Sequence, residues 1–390
     1  MKIQFLKKAI TDIKNFSLFI TSDTLSRIKK TNVKKNTILL IRVDAIGDFV
    51  LWTTAAKEVR RLYPTDKYKI TLLANKTWAD LAKSISYWDD IWILDRERFT
   101  RDPVHRFTML REVRNAGFEI VIQPTFSREF FIGDAIVRAS GAKVRIGSIG
   151  DCSNIEPYQK RISDQWYTFL VPASKSSLME LKRNAEFMRG LGLHDFKADL
   201  PELFPGGMDC PSIPKNYYVI FPGAMLGKRM WPVERFALLA SEIYKKTGLA
   251  GIVCGGLGEE KIGQRLVAIC NVPLINLVGE TTLKQLAAII KDAHFLVGNE
   301  TSAVHIAVAV SVPSVCVLGG GKIGRFMPYD IEVSTNRPLP RAAVHQMDCF
   351  GCNWKCIYSH RKNETAPCIS GIKVEDVLEE IEDILKLRKN

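Results

Sequence analysis

Short apolar runs alternating with longer helix-spaced stretches, a pattern played through twice, constrain this chain more than any other feature. Between residues 37 and 147 the runs TILLIRV, YKITLLA, DIWIL, FEIVIQP and AKVRIG are separated by segments such as VLWTTAAKEVRRLY and REFFIGDAIVRAS. Runs this apolar suit strands covered on both faces, and the helical segments supply the crossovers that parallel strands need. A doubly wound parallel sheet is predicted. The Pro- and Gly-rich stretch LPELFPGGMDCPSIPKN (200–216) then breaks the rhythm. Beyond it the pattern restarts with YYVIFPG, AGIVCGG, PLINLVG, HFLVGN and VPSVCVLGG, with helices expected around 233–247, 259–270, 282–291 and 302–310. The chain therefore reads as α/β, with Rossmann-like domains over 37–205 and 216–372 and a closing amphipathic helix over 373–390. Two such sheets facing a cleft would offer a ligand the carboxyl ends of their strands.

The formal net charge of +13 points to acidic partners: nucleic acid, anionic lipid, phosphorylated glycan or nucleotide. Charge by itself does not choose among them. Nine Lys and Arg against two Asp fall within residues 1–36, where Ile3, Leu6, Ile10, Ile13, Phe16 and Ile20 recur at helical spacing. This is the pattern of an N-terminal basic amphipathic helix, suited to an anionic membrane surface or to packing on the body of the protein. Its charges interrupt the apolar residues too often for a secretory signal, and the nine cysteines are an odd number. A cytoplasmic location is expected. No run of about 18 apolar residues occurs, so no transmembrane helix is expected.

No strand-to-helix turn carries GxGxxG or GxxxxGKS/T, which counts against a dinucleotide fingerprint and a P-loop. The first turn reads RVDAIGD instead. A carboxylate at a helix start is favoured by the helix dipole but repels a phosphate at the same spot. Asp48 is thus suited to take a proton from a hydroxyl, with an N-cap as its plain structural alternative and Asp44 as its competitor.

The second half carries three further signals. FPGAMLGKRMWPVERF (221–236) puts Lys228 and Arg229 in a glycine turn after a strand, where they can neutralise a diphosphate or simply be solvated. CGGLGEE (254–260) ends a strand in glycines and offers Glu259 to ribose hydroxyls, unless it is only a first-turn glutamate. VGNETSAVHIAVAVSVPSVCVLGGGKIGRF (297–326) starts a helix at Thr301 and Ser302, whose amides and hydroxyls form an anion site, with Glu300 and His305 beside it. The glycines of GGGKIGRF allow a backbone to approach a ligand closely.

Taken in order, ILLIRVDAIGDFVLWTTAAKEVRRLYP, FPGAMLGKRMWPVERFALLA, CGGLGEE and GNETSAVHIAVAVSVPSVCVLGG resemble the ADP-heptose:lipopolysaccharide heptosyltransferases, glycosyltransferase family nine, over residues 37 to 380. The resemblance implies the GT-B fold, with acceptor bound by the first domain and nucleotide sugar by the second. It implies that Asp48 is the general base, that Arg229, or Lys228 in its place, contacts phosphate, and that Glu259 binds ribose. The family's Asp-Thr-Gly, three residues before a histidine, becomes Glu300, Thr301, Ser302 and His305. Glutamate for aspartate lengthens a side chain in the donor site, and serine for glycine adds bulk, so the donor sugar is heptose only by family default.

On this reading the protein is an inverting, metal-independent glycosyltransferase that takes sugar from a nucleotide, expected to be ADP-linked, to lipopolysaccharide core or another envelope glycan. It would lie peripherally on the inner membrane face and would not bind nucleic acid. Arg60, Arg128 and Arg145 are candidates for an anionic acceptor. Cys349, Cys352, Cys356 and Cys368 have the spacing C-x2-C-x3-C-x11-C, near zinc or iron–sulfur patterns, with reduced thiols or a local disulfide as alternatives. A nicotinamide-dependent oxidoreductase and a non-catalytic sugar-nucleotide-binding protein remain as other readings.

Overall fold

A computed structural model describes residues 19–28, 31–204, 211–332, 336–358 and 364–387. The chain divides into two compact units. The first comprises Met1–Ala45, Ala55–Lys175 and Arg183–Phe196, and the second Ile46–Thr54, Ser176–Lys182 and Lys197–Asn390.

The first unit is built on six strands: β1 (Lys34–Arg42), β2 (Lys69–Asn75), β3 (Asp90–Leu94), β4 (Phe118–Gln123), β5 (Val144–Ser148) and β6 (Phe169–Val171). All pair in parallel, in the order β3-β2-β1-β4-β5-β6. β1 is central, its Ile38 opposite Ile70 on one side and Ile120 on the other, and Ile38 to Ile41 are buried on both faces. This is why its sequence is apolar without alternation. Helix Pro103–Ala116 illustrates local encoding: Asp102 accepts from the amides of Val104 and His105, proline opens the helix, and Gly117 ends it at φ 72.

The second unit repeats the design with β7 (Tyr217–Phe221), β8 (Ala250–Val253), β9 (Leu274–Asn276), β10 (Leu296–Asn299), β11 (Ser314–Leu318) and β12 (Arg341–Val344). Their order, β12-β11-β10-β7-β8-β9, is again that of a doubly wound sheet, with the order reversing at β7. Its core gathers Tyr218, Trp231, Phe236, Phe295 and the apolar face of the C-terminal helix, Val377, Ile381 and Ile384.

Differences from the sequence expectations lie at the edges. β6 and β12, three and four residues long, close their sheets at one edge each and lie outside the apolar runs read from the sequence. The segment REFFIGDAIVRAS begins as a π-turn over Phe130–Asp134 before the α-helix Ala135–Ser140. Residues 1–18, 29 and 30 of the basic extension lie outside the described residues. Residues 19–26 are helical, and Phe19, Ser22 and Ser26 of this stretch are buried. Asp23 takes two hydrogen bonds from the fully buried Arg106, at 2.6 and 2.8 Å, and the guanidinium lies between the rings of Phe19 and Phe99. Among the described residues, no helix is long and apolar enough to cross a membrane.

Candidate active site

In the second unit the site grows from the loop that follows β7. Asn299, buried at the end of β10, donates to the carbonyl of Pro222 at 2.7 Å and accepts from the amide of Trp231 at 3.0 Å. One side chain thereby pins both ends of the loop, and its middle, the 3-10 turn Gly227–Arg229, is carried to the carboxyl end of the sheet. Thr365 and Ala366 brace the turn from the C-terminal segment, through the carbonyls of Met230 and Lys228. There Arg229 donates to the backbone oxygen of Glu300 at 2.8 Å and lies 3.3 Å from its carboxylate. Lys228 Nζ donates to the carbonyl of Trp354 at 2.6 Å, and the Arg229 guanidinium lies 5.1 Å from the ring of the same residue.

Glu300, Thr301, Ser302 and His305 follow β10 into helix Ser302–Ala309. Thr301 is the N-cap of that helix, and its Oγ1 is buried without a hydrogen-bond partner among the described residues. Burial pushes the Glu300 carboxyl up, while Arg229 opposes the shift. His305 is buried, with Nδ1 2.9 Å from the Tyr329 hydroxyl and its ring stacked on Tyr329 at 5.9 Å. Desolvation, reinforced by Arg229, lowers its pKa to about 4, so the imidazole is neutral at physiological pH.

The first turn of helix Ile46–Leu62 belongs to the same unit. A Cβ on Gly47 would stand 3.1 Å from His305 Cδ2 and 3.8 Å from the Cα of Ser302, so only a bare backbone fits there without a shift. Ala45 occupies the N-cap, so Asp48 is a first-turn acid and not a cap. Its charge acts on the half-buried Lys322, which also feels Arg325, Arg229 and Glu300, and whose pKa is lowered chiefly by desolvation. Asp44, the competitor, lies in the first unit, 2.9 Å from the buried Arg42 and accepting from Thr125. Glu259 lies over Gly223: it accepts from the Gly256 amide at 2.8 Å, and a Cβ on Gly223 would fall 2.2 Å from its Oε1. Its carboxyl is pushed up by burial.

The structure thus joins Lys228, Arg229, Glu300, Thr301, Ser302 and His305 through direct contacts and chain adjacency, and reaches Asp48 through Gly47. The three acceptor candidates are differently placed. Arg60 spends its donors on the carbonyls of Tyr87 and Tyr68 and on Asp89, at the amino ends of β2 and β3. Arg145 donates to the carbonyls of Trp166 and Ala142, also at the amino ends of strands. A doubly wound sheet binds at its carboxyl ends, so both stand on the wrong side for a ligand. Arg128 is on the right side but only 1% exposed, with Asp164 and Asp134 as ion partners and its guanidinium against the Tyr167 ring.

The glycines of GGGKIG have another use than the one expected. A Cβ on Gly319 or Gly321 would meet the Trp354 ring at 2.7 or 2.3 Å, and one on Gly320 would meet Phe350 at 2.1 Å. Side chains of the C-terminal loop, not a ligand, fill that space. Residues 319–324 do match the glycine spacing of a dinucleotide fingerprint, yet β11 leads there into the short 3-10 turn Gly320–Lys322 and not into a helix. Cys349, Cys352, Cys356 and Cys368 are unbridged thiols. Among the described residues, no group of three or more His, Cys, Asp or Glu is placed to hold a metal ion, while the thiols of Cys349, Cys352 and Cys356 all lie near enough to Cys368 to help push its pKa up, behind burial as the main cause. Nothing in the sequence singles out Asn299, Tyr329 and Trp354, because their roles depend on partners 24 to 126 residues distant in the chain.

The family model for glycosyltransferase family 9 (heptosyltransferase) matches residues 106–350. Lipopolysaccharide heptosyltransferase 3 of Escherichia coli is 22% identical over 288 residues, 70% of this chain and 80% of that protein. Among solved structures, a family 9 glycosyltransferase from Veillonella parvula aligns with a TM-score of 0.67 at 16% identity, covering 91% of this chain and 99% of that one. The ADP-heptose lipopolysaccharide heptosyltransferase II of E. coli aligns at 0.64 and 17%, covering 91% and 100%. The shared architecture is the GT-B fold of two Rossmann-like units, and with the family match over most of its length this chain belongs to glycosyltransferase family 9, the heptosyltransferases.

Proposed function

We propose that the protein is an inverting glycosyltransferase that moves heptose from an ADP-linked donor to a lipopolysaccharide core or a related envelope glycan. The observation that carries this reading is the contact of Arg229 with Glu300 at the amino end of helix Ser302–Ala309, with Lys228 next to it in the same 3-10 turn, a concentration of positive charge suited to a diphosphate. Asp48 takes the proton of the acceptor hydroxyl as that oxygen attacks the anomeric carbon from the face opposite the diphosphate. The bond to the diphosphate breaks, and Arg229, Lys228 and the amides at the helix start stabilise the departing charge. Glu259, beside the Gly223 turn, is assigned to the ribose hydroxyls, and Glu300 with Ser302 to the sugar. The names of the relatives support the donor and acceptor classes. These cations and amides already meet the leaving group's charge, so the proposed step needs no metal.

Membrane association is part of the proposal. Its support is the basic sequence of residues 1–36, together with Ile20, Leu25 and Ile28, which are exposed while Phe19 and Asp23 of the same stretch fasten it to the first unit. Of the three acceptor arginines, only Arg128 keeps an assignment near the acceptor. It acts by holding Asp134 and Asp164 in place, not by touching the glycan.

The test is calorimetric titration of ADP, GDP, UDP and NAD into the purified protein. ADP is expected to bind selectively, with binding lost in the Arg229→Ala, Glu259→Ala double variant. Preference for UDP or GDP would overturn the donor assignment, and binding of NAD alone would overturn the enzyme class.

A further inference from the structure

The loop CFGCNWKC (349–356) is laid across the glycine turn after β11. Gly351 donates to the carbonyl of Gly320 at 2.7 Å, Asn353 to that of Gly321 at 2.7 Å, and Lys355 closes back on Cys352 at 2.9 Å. Asn353 and Trp354 are consecutive non-glycine residues in the left-handed region, at φ 49 and 60, a conformation that L side chains adopt only when their surroundings enforce it. What this strained turn delivers is Trp354, whose ring fills the space that Gly319 and Gly321 leave open. Its carbonyl accepts from Lys228 Nζ at 2.6 Å, and its ring lies 5.1 Å from the Arg229 guanidinium carbon.

We propose that Trp354 is a positioning residue of the donor site, setting both diphosphate-binding cations at once, Lys228 through its backbone carbonyl and Arg229 through its ring. An ammonium group has three donors, and one spent on the carbonyl leaves two for phosphate oxygens. A guanidinium held against an aromatic face keeps its edge donors available. One of these reaches the Glu300 carbonyl, and Arg229 Nε has no hydrogen-bond partner among the described residues. The loop therefore orients the pair before any ligand arrives, which lowers the ordering cost of binding a nucleoside diphosphate. This inference rests on the donor-site reading above for its ligand, though not for its geometry.

Two measurements test it. In calorimetry with ADP, Trp354→Gly, which suits the left-handed backbone and removes only the ring, is expected to weaken binding on the order of tenfold. Trp354→Phe, which keeps an aromatic face, should stay within about twofold of wild type. In steady state the Trp354→Gly change should appear in the donor KM and leave the acceptor KM unaltered. Equal affinity of Trp354→Gly and wild type, or an equal loss in both variants, would overturn the role of the ring. The second measurement needs no nucleotide: phenylglyoxal modification of Arg229, followed by peptide mass spectrometry, should be several-fold faster in Trp354→Gly than in wild type. An unchanged rate would overturn the inference even where ADP binds, whereas a raised rate in a protein that binds no ADP would uphold the geometry and count against the donor assignment alone.

Discussion

The same guanidinium nitrogen of Arg229 donates to the Glu300 carbonyl at 2.8 Å and stands 3.3 Å from the Glu300 carboxylate, which is only 5% exposed as a residue. A buried carboxylate is tolerated when a cation and hydrogen bonds compensate it, and removal of one partner leaves the other uncompensated. Arg229→Ala is therefore expected to lose stability, by about 3 kcal/mol, as well as phosphate affinity. Urea denaturation of the variant beside wild type, with ADP titration of both, checks the two effects separately.

Asp48 stands in the first turn of its helix, one residue after a glycine that lies against His305. Asp48→Asn keeps the size and removes the basicity. Transfer should fall by roughly 10²- to 10⁴-fold while ADP affinity stays near that of wild type. Turnover within a few-fold of wild type would remove Asp48 as the base.

Gly223 leaves room for the Glu259 carboxylate, which a Cβ would meet at 2.2 Å. Gly223→Ala is expected to displace that carboxylate and weaken ADP binding, with little effect on pyrophosphate binding, since ribose and not phosphate is the assigned partner of Glu259. Parallel titrations with the two ligands give the comparison.

Arg106 is fully buried, and its charge is met by Asp23 from the N-terminal stretch. Asp23→Ala should cost about 3 to 5 kcal/mol by leaving the guanidinium unpaired, and Arg106→Met in the same chain should recover part of the loss. Denaturation midpoints of the single and double variants decide it. A single variant as stable as wild type would show that the stretch 19–28 is not fastened by this pair.

The lowered pKa of His305, about 4, means that the unfolded chain, with imidazole near 6.5, binds a proton more readily than the folded one. Stability from this group is complete above the unfolded value and declines as pH falls from 6.5 toward 4, by about 2 kcal/mol at pH 5. The urea midpoint should accordingly drop between neutral pH and pH 5. His305→Gln should show a shallower drop.

The repeated strand-and-helix rhythm and the position of Asp48, Lys228, Arg229, Glu259 and the Glu300 to His305 segment in the turns and helix starts that follow strands were legible in the sequence. They were legible because each depends on neighbours within one turn or one strand, where apolar periodicity, glycine and helix-start chemistry leave a local trace. What only the tertiary structure decided is how those residues are used. It took Arg60 and Arg145 to the amino ends of the sheet and buried Arg128 among carboxylates. It gave the glycines of 319–321 to Trp354 and Phe350, and tied the cation pair to a loop more than a hundred residues further along the chain. Burial and pairing depend on which distant segments share a space, and a single chain of letters does not carry that information locally.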